Sequence, residues 1–179
     1  MDQCNPVRGF EGSVLYGLWR MTCPRTSKIA RCATVSGGAV EVAIESVRLP
    51  DGEEVSDYYQ VRLPEYALVF AVTATEHGVL LRQYKHGVRR VCVGLPGSAL
   101  DAHEDPLAAA QRELREETGY TATAWHDYGG FVTNSNQRCS VAHLFVAHGC
   151  HRGSDATAPD MERPEVFEVP YSSYGRACR

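Results

Sequence analysis

The sequence has no long hydrophobic run. No apolar segment approaches the ~18 residues that a transmembrane helix needs, and the opening MDQCNPVRGF lacks the basic and apolar regions of a secretory signal peptide. We therefore expect a protein that does not cross a membrane and is cytoplasmic.

An excess of positive charge is also missing. Eighteen Lys and Arg stand against 22 Asp and Glu, which gives a formal net charge of −4 at pH 7. Proteins that coat nucleic acid or anionic membranes need clustered cationic surface. We therefore do not expect nucleic acid as a partner.

Metal sites built from cysteine and histidine are not indicated either. The seven cysteines include no Cys-x-x-Cys pair, and the seven histidines include no His-x-His or His-Glu-x-x-His pattern. An odd cysteine count without such spacing is typical of free thiols in a reducing compartment, with neither a structural zinc site nor a disulfide framework.

The 179 residues are enough for one domain with a hydrophobic core. Residues 1–38 show little periodicity and stay unassigned, and we predict one domain over residues 39–179. Its first part alternates in polarity, breaks at Pro50-Asp51-Gly52 and returns through YYQVRL, as a hairpin does. The apolar run YALVFAVTAT is typical of a strand covered on both faces, and EHG turns it into VLLRQYKHG. Later short strands complete a mixed α+β domain with a helix on a sheet.

One helix is strongly marked, from about residue 105 to 118. Asp105 is a good N-cap, Pro106 suits the first helical position, and Gly119 suits a left-handed C-terminal cap. Apolar residues at steps of three and four form a stripe for the core: Leu107, Ala110 and Leu114.

Three carboxylates share one face of this helix. Glu113 and Glu117 are four residues apart, and Glu116 lies beside them at 3.6 residues per turn. One interpretation is a solvated face in which Arg112 and Arg115 pair with Glu116. The other is a site for a hard divalent cation such as Mg²⁺, which prefers carboxylate oxygens. The helix alone leaves both open.

The surrounding stretch SALDAHEDPLAAAQRELREETGY resembles the Nudix box of the Nudix hydrolases. That motif runs Gly, five residues, Glu, seven residues, then Arg-Glu-aliphatic-any-Glu-Glu-any-Gly-aliphatic. The matching residues are Glu104, Arg112, Glu113, Leu114, Glu116, Glu117 and Gly119, followed by Tyr120 at the last apolar position. Ser98 stands where the box has its first glycine, and Gly97 lies one residue earlier. Flanking segments over residues 40–171 resemble the ADP-ribose pyrophosphatase branch.

The resemblance implies a Nudix fold, a mixed sheet packed with helices as an α/β/α sandwich, preceded by an amino-terminal β-hairpin region. It also implies Mg²⁺-dependent hydrolysis of the pyrophosphate bond in a nucleoside diphosphate derivative, ADP-ribose or an ADP-sugar, to two monophosphates. Two alternatives stay open: a nucleoside triphosphate pyrophosphohydrolase, and a nucleotide-binding module with weakened catalysis. By analogy with relatives we expect a homodimer.

The resemblance further assigns roles to residues. Mg²⁺, with Mn²⁺ as a substitute, is expected on the metal-site residues Glu113, Glu116, Glu117 and Ser98, the last through its backbone. The catalytic set comprises Glu116, Glu104, Arg112 and Glu162.

Within that catalytic set, Glu104 and Arg112 are expected to form a supporting ion pair. Glu162 is the candidate general base, with Glu165 as its alternative. Both are exposed loop charges in the simpler interpretation.

Arg82, Gln83 and Tyr84 end the second hairpin and are expected to contact the nucleotide. The alternative is a solvated strand end.

Overall fold

The protein is described by a computed structural model over residues 28–35, 40–153, 156–157 and 164–173. This part divides into two compact units. The first contains the amino-terminal strands and residues 134–139, and the second contains residues 64–133 and the described residues from 140 onward. The predicted domain boundary after residue 38 stays a prediction.

The first unit is an antiparallel sheet of three strands in the order β1 (Lys28–Val35), β2 (Val40–Arg48) and β3 (Glu54–Arg62). In the β2–β3 turn, the Gly52 N–H donates to the Leu49 carbonyl at 2.9 Å, and Gly52 adopts a φ of 93°. Glycine tolerates this positive φ. The predicted hairpin is therefore confirmed.

The second unit is built on a seven-stranded mixed sheet. Its elements are β4 (Tyr66–Thr73), β5 (His77–Lys85), β6 (Arg90–Gly94), α1 (Pro106–Thr118), β7 (Tyr120–Thr121), β8 (Ala124–Val132), β9 (Val141–Arg152), β10 (Glu165–Pro170) and a 3₁₀ turn (Tyr171–Ser173). The central path is β10-β5-β4-β9-β7, with β6 beside β5 and β8 beside β9. Strands β4 and β9 run parallel and the other pairs antiparallel. The α+β class is confirmed.

One face of the sheet packs against α1. The inward residues of β4 are Ala67, Val69 and Ala71, all fully buried, and they form a core with Ala109, Ala110 and Leu114 of α1. Small side chains on both elements allow close approach. The residues on the opposite face of β4 are half-buried, so this strand is covered on both faces but more completely on the α1 side. The described part of the chain contains one α-helix, and the second helical layer of the α/β/α sandwich stays a prediction.

No helix of the described residues is long and apolar enough to span a bilayer. Of the seven cysteines, Cys92, Cys139 and Cys150 are described with free thiols.

The sheet splits between β4 and β5. The two strands pair at Ala71 and Val72 of β4, next to the β4–β5 turn. Farther along, residues 96–99 lie beside β4 in the place of β5: the Val69 N–H donates to the Pro96 carbonyl at 2.9 Å, and the Ala67 N–H to the Ser98 carbonyl at 3.0 Å. We call residues 96–99 the wedge segment. It leads from β6 toward the helix.

Gly97 is required within the wedge segment. It has a φ of 151°, and a Cβ at this position would lie 2.1 Å from the Ala67 carbonyl oxygen. A side chain there would displace the backbone of β4. Ser98, at the first position of the box, is exposed. The steric requirement for glycine therefore falls one residue before the position named by the motif.

We predict that Gly97→Ala destabilises the protein by about 2 kcal/mol or more, because the new methyl group clashes with backbone and the φ is unfavourable. Gly94→Ala is the matched control, since a Cβ at Gly94 meets nothing within 4 Å. Urea unfolding of both variants measures the effect. Equal free energies of unfolding for the two variants would contradict the role of Gly97.

Candidate active site

Both ends of α1 are capped as the sequence predicts. The Asp105 side chain accepts from the Ala108 N–H at 3.0 Å, and Pro106 opens the first turn. At the other end, Gly119 adopts a φ of 74° and its N–H donates to the Arg115 carbonyl at 2.8 Å. These caps place the three glutamates in the last two turns of the helix.

The acidic face is not a solvated face. Glu113 and Glu117 are each 7% exposed, whereas the Glu116 side chain is 35% exposed. Burying a carboxylate is costly unless hydrogen bonds or opposite charge compensate for lost water. The stability of this helix end therefore depends on the hydrogen-bond and ion-pair partners of these carboxylates.

Arg112 connects three carboxylates. Its Nε and Nη2 donate to the two oxygens of Glu104, each at 2.8 Å, as a bidentate pair. Its Nη1 donates to Glu113 Oε1 and contacts Glu116 Oε2 at 3.5 Å. Glu104 also accepts from the Asp101 N–H at 2.9 Å. The predicted ion pair is present, and it ties the loop before α1 to the helix.

The pKa values follow from these contacts. Hydrogen bonds from Arg112 and from the Asp101 backbone lower the pKa of Glu104 to about 2. The same pair with Glu104 raises the pKa of Arg112 further above its usual range. Burial raises the pKa of Glu113, and the Arg112 guanidinium opposes that shift.

Glu117 is bonded to the wedge segment. Its Oε2 accepts from the Gly97 N–H at 2.7 Å. The residue that cannot carry a Cβ is therefore also the residue whose backbone orients a carboxylate of the box. This contact joins β4, the wedge segment and α1 at one point.

The donor chemistry of the helix end fits Mg²⁺. Three carboxylates at the end of one helix offer the hard oxygen ligands that this ion prefers. Within the described residues, however, no three His, Cys, Asp or Glu side chains already form a common ligand group. Glu113 and Glu117 instead accept hydrogen bonds from Arg112 and from the Gly97 N–H. The carbonyl of Ser98 already accepts from Ala67, so its predicted metal contact stays a prediction.

Strand β5 separates the three residues predicted to contact substrate. Gln83 shares a face with Val79, which packs in the core under α1, because alternate strand residues point the same way. Arg82 and Tyr84 point to the opposite face. Arg82 forms two hydrogen bonds with Glu165, at 2.9 and 3.1 Å, and lies 4.8 Å from the centre of the Phe167 ring.

Gln83 has an unusual environment. It is 8% exposed, and its side-chain oxygen has no hydrogen-bond partner among the described residues. A buried carbonyl oxygen without a donor is destabilising and calls for an explanation. This feature could not be predicted from the sequence, since the residue type alone does not reveal burial.

Of the two candidate general bases, only Glu165 belongs to the described residues. Glu162 lies outside the described residues. Glu165 is paired with Arg82 on the face of the sheet opposite to α1, which disfavours it as a base. On the amino-terminal side of Glu162, the Thr157 N–H donates to the Glu116 carbonyl at 2.9 Å. Sequence reasoning missed this attachment to the helix end.

A profile of the NUDIX domain matches residues 62–174 of this chain. The chain belongs to the Nudix hydrolase family. The resemblance seen in the box is thereby confirmed, and the matched range coincides closely with the second compact unit.

Two relatives share 33% identity with the chain. One is a methanol dehydrogenase activator of Bacillus methanolicus, matched over 71% of this chain and 68% of its own length. The other is an ADP-ribose pyrophosphatase of Bacillus subtilis, matched over 66% of this chain and 64% of its own length. A CMP-5'-(N-acetyl-N-hydroxy-3-aminopropyl)phosphonate hydrolase of Streptomyces rubellomurinus is 40% identical over 60% of this chain and 52% of its own length. These matches thus span about half to two thirds of the relatives.

The fold is shared with a solved structure titled as an ADP compounds hydrolase. The TM-score is 0.65 at 20% sequence identity, over 83% of this chain and 80% of that one. This likeness confirms the Nudix fold of the chain.

We predict that the stabilising effect of Glu104 depends on pH. Its pKa falls from an ordinary 4.5 to about 2 in the folded protein, so its contribution is present above pH 4.5 and is lost as pH falls toward 2. The Tm of wild type should exceed that of Glu104→Gln most at neutral pH, and the difference should shrink below pH 4.5. Circular dichroism melts measure it.

Glu53→Gln is the control for this series, because it removes an exposed carboxylate from the β2–β3 turn. Its Tm profile should stay close to that of wild type. A difference between wild type and Glu104→Gln that stays constant down to pH 2 would refute the ionic role of Glu104.

Proposed function

We propose that the protein hydrolyses the pyrophosphate bond of a nucleoside diphosphate derivative, ADP-ribose or an ADP-sugar, with Mg²⁺ as cofactor. The products are two monophosphates. The observation that carries the proposal is the group of buried carboxylates at the end of α1, bonded to Arg112 and to the wedge segment in a Nudix chain. The relative named as an ADP-ribose pyrophosphatase supports the choice of substrate class.

The proposed metal site uses Glu113, Glu116 and Glu117, with the Ser98 backbone beside them. Mg²⁺, or Mn²⁺ in its place, supplies neutralisation of phosphate charge and a lower pKa for the attacking water when bound. Glu104 holds the preceding loop against the helix through its bidentate pair with Arg112. Glu116 is the most exposed of the three and the first candidate for a direct role.

We assign the general base to Glu162. It lies five residues after Thr157, which is bonded to the Glu116 carbonyl, and three residues before Glu165, which pairs with Arg82. Five residues span at most about 18 Å. This chain length permits Glu162 to approach the helix end, where it would accept the proton of the water as the phosphorus–oxygen bond of the anhydride breaks.

Among the residues predicted to contact substrate, Gln83 is the strongest candidate. Its oxygen has no donor in the part of the chain that the structure describes, and it lies on the face of β5 that carries α1. A sugar hydroxyl or a base amino group would satisfy it. Arg82 and Tyr84 lie on the other face, and their contacts with nucleotide stay predictions, as do the homodimer and the cytoplasmic location.

The function is tested by incubating ADP-ribose, ADP-sugars and nucleoside triphosphates with the protein and Mg²⁺, with products identified by ³¹P NMR. We expect two monophosphates from ADP-ribose. Glu116→Gln should lower kcat/KM by about 100-fold or more, because it replaces a negatively charged carboxylate of the proposed metal site with a neutral amide. Glu76→Gln, an exposed turn carboxylate, is the matched control and should keep wild-type activity.

The outcomes separate the competing activities. Release of inorganic pyrophosphate from triphosphates would identify a pyrophosphohydrolase, and nucleotide binding without cleavage would identify a module with weakened catalysis. Cleavage at the same rate by wild type and Glu116→Gln would remove the assigned site.

We predict that Gln83→Leu raises KM for ADP-ribose about fivefold with little change in kcat, because one hydrogen bond to substrate is lost. Without substrate the same variant should melt at a higher temperature than wild type, since it removes an unpartnered buried oxygen. Arg82→Gln serves as comparison. A larger rise in KM for Arg82→Gln than for Gln83→Leu would reverse the assignment.

A further inference from the structure

The helix end concentrates negative charge around one guanidinium. Glu104, Glu113 and Glu116 all contact Arg112, and Glu113 is buried. Arg115 also approaches Glu116, at 3.8 Å, but its side chain is 56% exposed. Exposed ion pairs are weak, whereas removing one partner of a buried pair leaves an uncompensated charge. Arg112 is therefore the principal counter-charge within this group.

The donors of Arg112 are divided between Glu104 and the glutamates of the proposed metal site. Nε and Nη2 are used on Glu104, and Nη1 is used on Glu113 and Glu116. The Nη1 contacts fall on two of the three glutamates of the proposed metal site. The contacts with Glu104 fall outside it. One side of the guanidinium is therefore anchored, and the other occupies carboxylates that a cation would use.

A metal ion and a guanidinium on the same carboxylates repel each other, since both are positive and only a few ångströms apart. Arg112 is held in place by Glu104, so its charge is not easily removed. We propose that Arg112 is a built-in competitor of Mg²⁺ for Glu113 and Glu116, and that Glu104 limits this competition by holding the rest of the guanidinium.

This inference rests on the proposed function, because it concerns the same metal site. It assigns Arg112 and Glu104 opposite effects on Mg²⁺ affinity. If both served only to orient the glutamates, loss of either would weaken Mg²⁺ binding. With competition, loss of Arg112 strengthens binding, and loss of Glu104 weakens it because Arg112 then directs more of its donors to Glu113 and Glu116.

The test is isothermal titration of Mg²⁺ into the full chain, with Mn²⁺ binding by electron paramagnetic resonance as a second readout. We expect Arg112→Gln to bind either ion about fivefold more tightly than wild type, because the variant lacks the partly buried positive charge that competes for Glu113 and Glu116. Glu104→Gln should bind severalfold more weakly. Neither measurement depends on turnover.

Arg115→Gln is the matched control, since it removes the same charge from the same helix near Glu116. Its Mg²⁺ affinity should change much less than that of Arg112→Gln, whereas equal gains in both would show a general charge effect and overturn the proposal. Arg112→Lys keeps the charge without the bidentate geometry. It should bind Mg²⁺ with an affinity between wild type and Arg112→Gln, and it replaces that variant if Arg112→Gln does not fold.

Weaker Mg²⁺ binding by Arg112→Gln or Arg112→Lys than by wild type would overturn the competition and leave the proposed function intact. Binding of neither Mg²⁺ nor Mn²⁺ by wild type would instead refute the proposed metal site, and the competition with it. The failures of the two proposals are therefore distinguishable.

Discussion

The bonds of Arg112 to the carboxylates around it are the interaction on which the rest of this site depends. Glu116 and Glu117 lie in the last turn of α1, where negative charge opposes the helix dipole, and burial of Glu113 costs desolvation free energy. The Arg112 guanidinium offsets the burial of Glu113, because it is positive and has enough donors for Glu104 and Glu113 together. Removal of that charge would leave a buried carboxylate uncompensated, which is among the more destabilising changes a protein can undergo.

The split between β4 and β5 makes room for the wedge segment, which contacts the end of α1. Strands β4 and β5 diverge, and the wedge segment lies against β4 with its carbonyls bonded to Val69 and Ala67. The Gly97 N–H is thereby aimed at Glu117 rather than at a neighbouring strand. Close approach to β4 excludes a side chain at Gly97, so the same backbone geometry sets both the glycine requirement and the carboxylate contact.

Local signals in the sequence predicted local structure well. Asp105, Pro106 and Gly119 each determine backbone geometry within one turn, and the helix begins and ends where they indicate. What the sequence could not supply depends on contacts between distant residues. The motif placed the essential glycine at residue 98, yet the need arises at Gly97 from a carbonyl in β4. Likewise, Arg82, Gln83 and Tyr84 were predicted to form one substrate site. Neighbouring residues of a strand lie on opposite faces, so only Gln83 lies on the α1 face.

Three connections meet at the last turns of α1, and together they hold this end of the helix in place. The loop before the helix is bonded through Glu104, the wedge segment through Glu117, and the segment after β9 through the Glu116 carbonyl. Each connection joins a different part of the chain to the same short helix. Because the helix is also packed on the sheet through Leu114, loops can change in length while the carboxylates keep their positions.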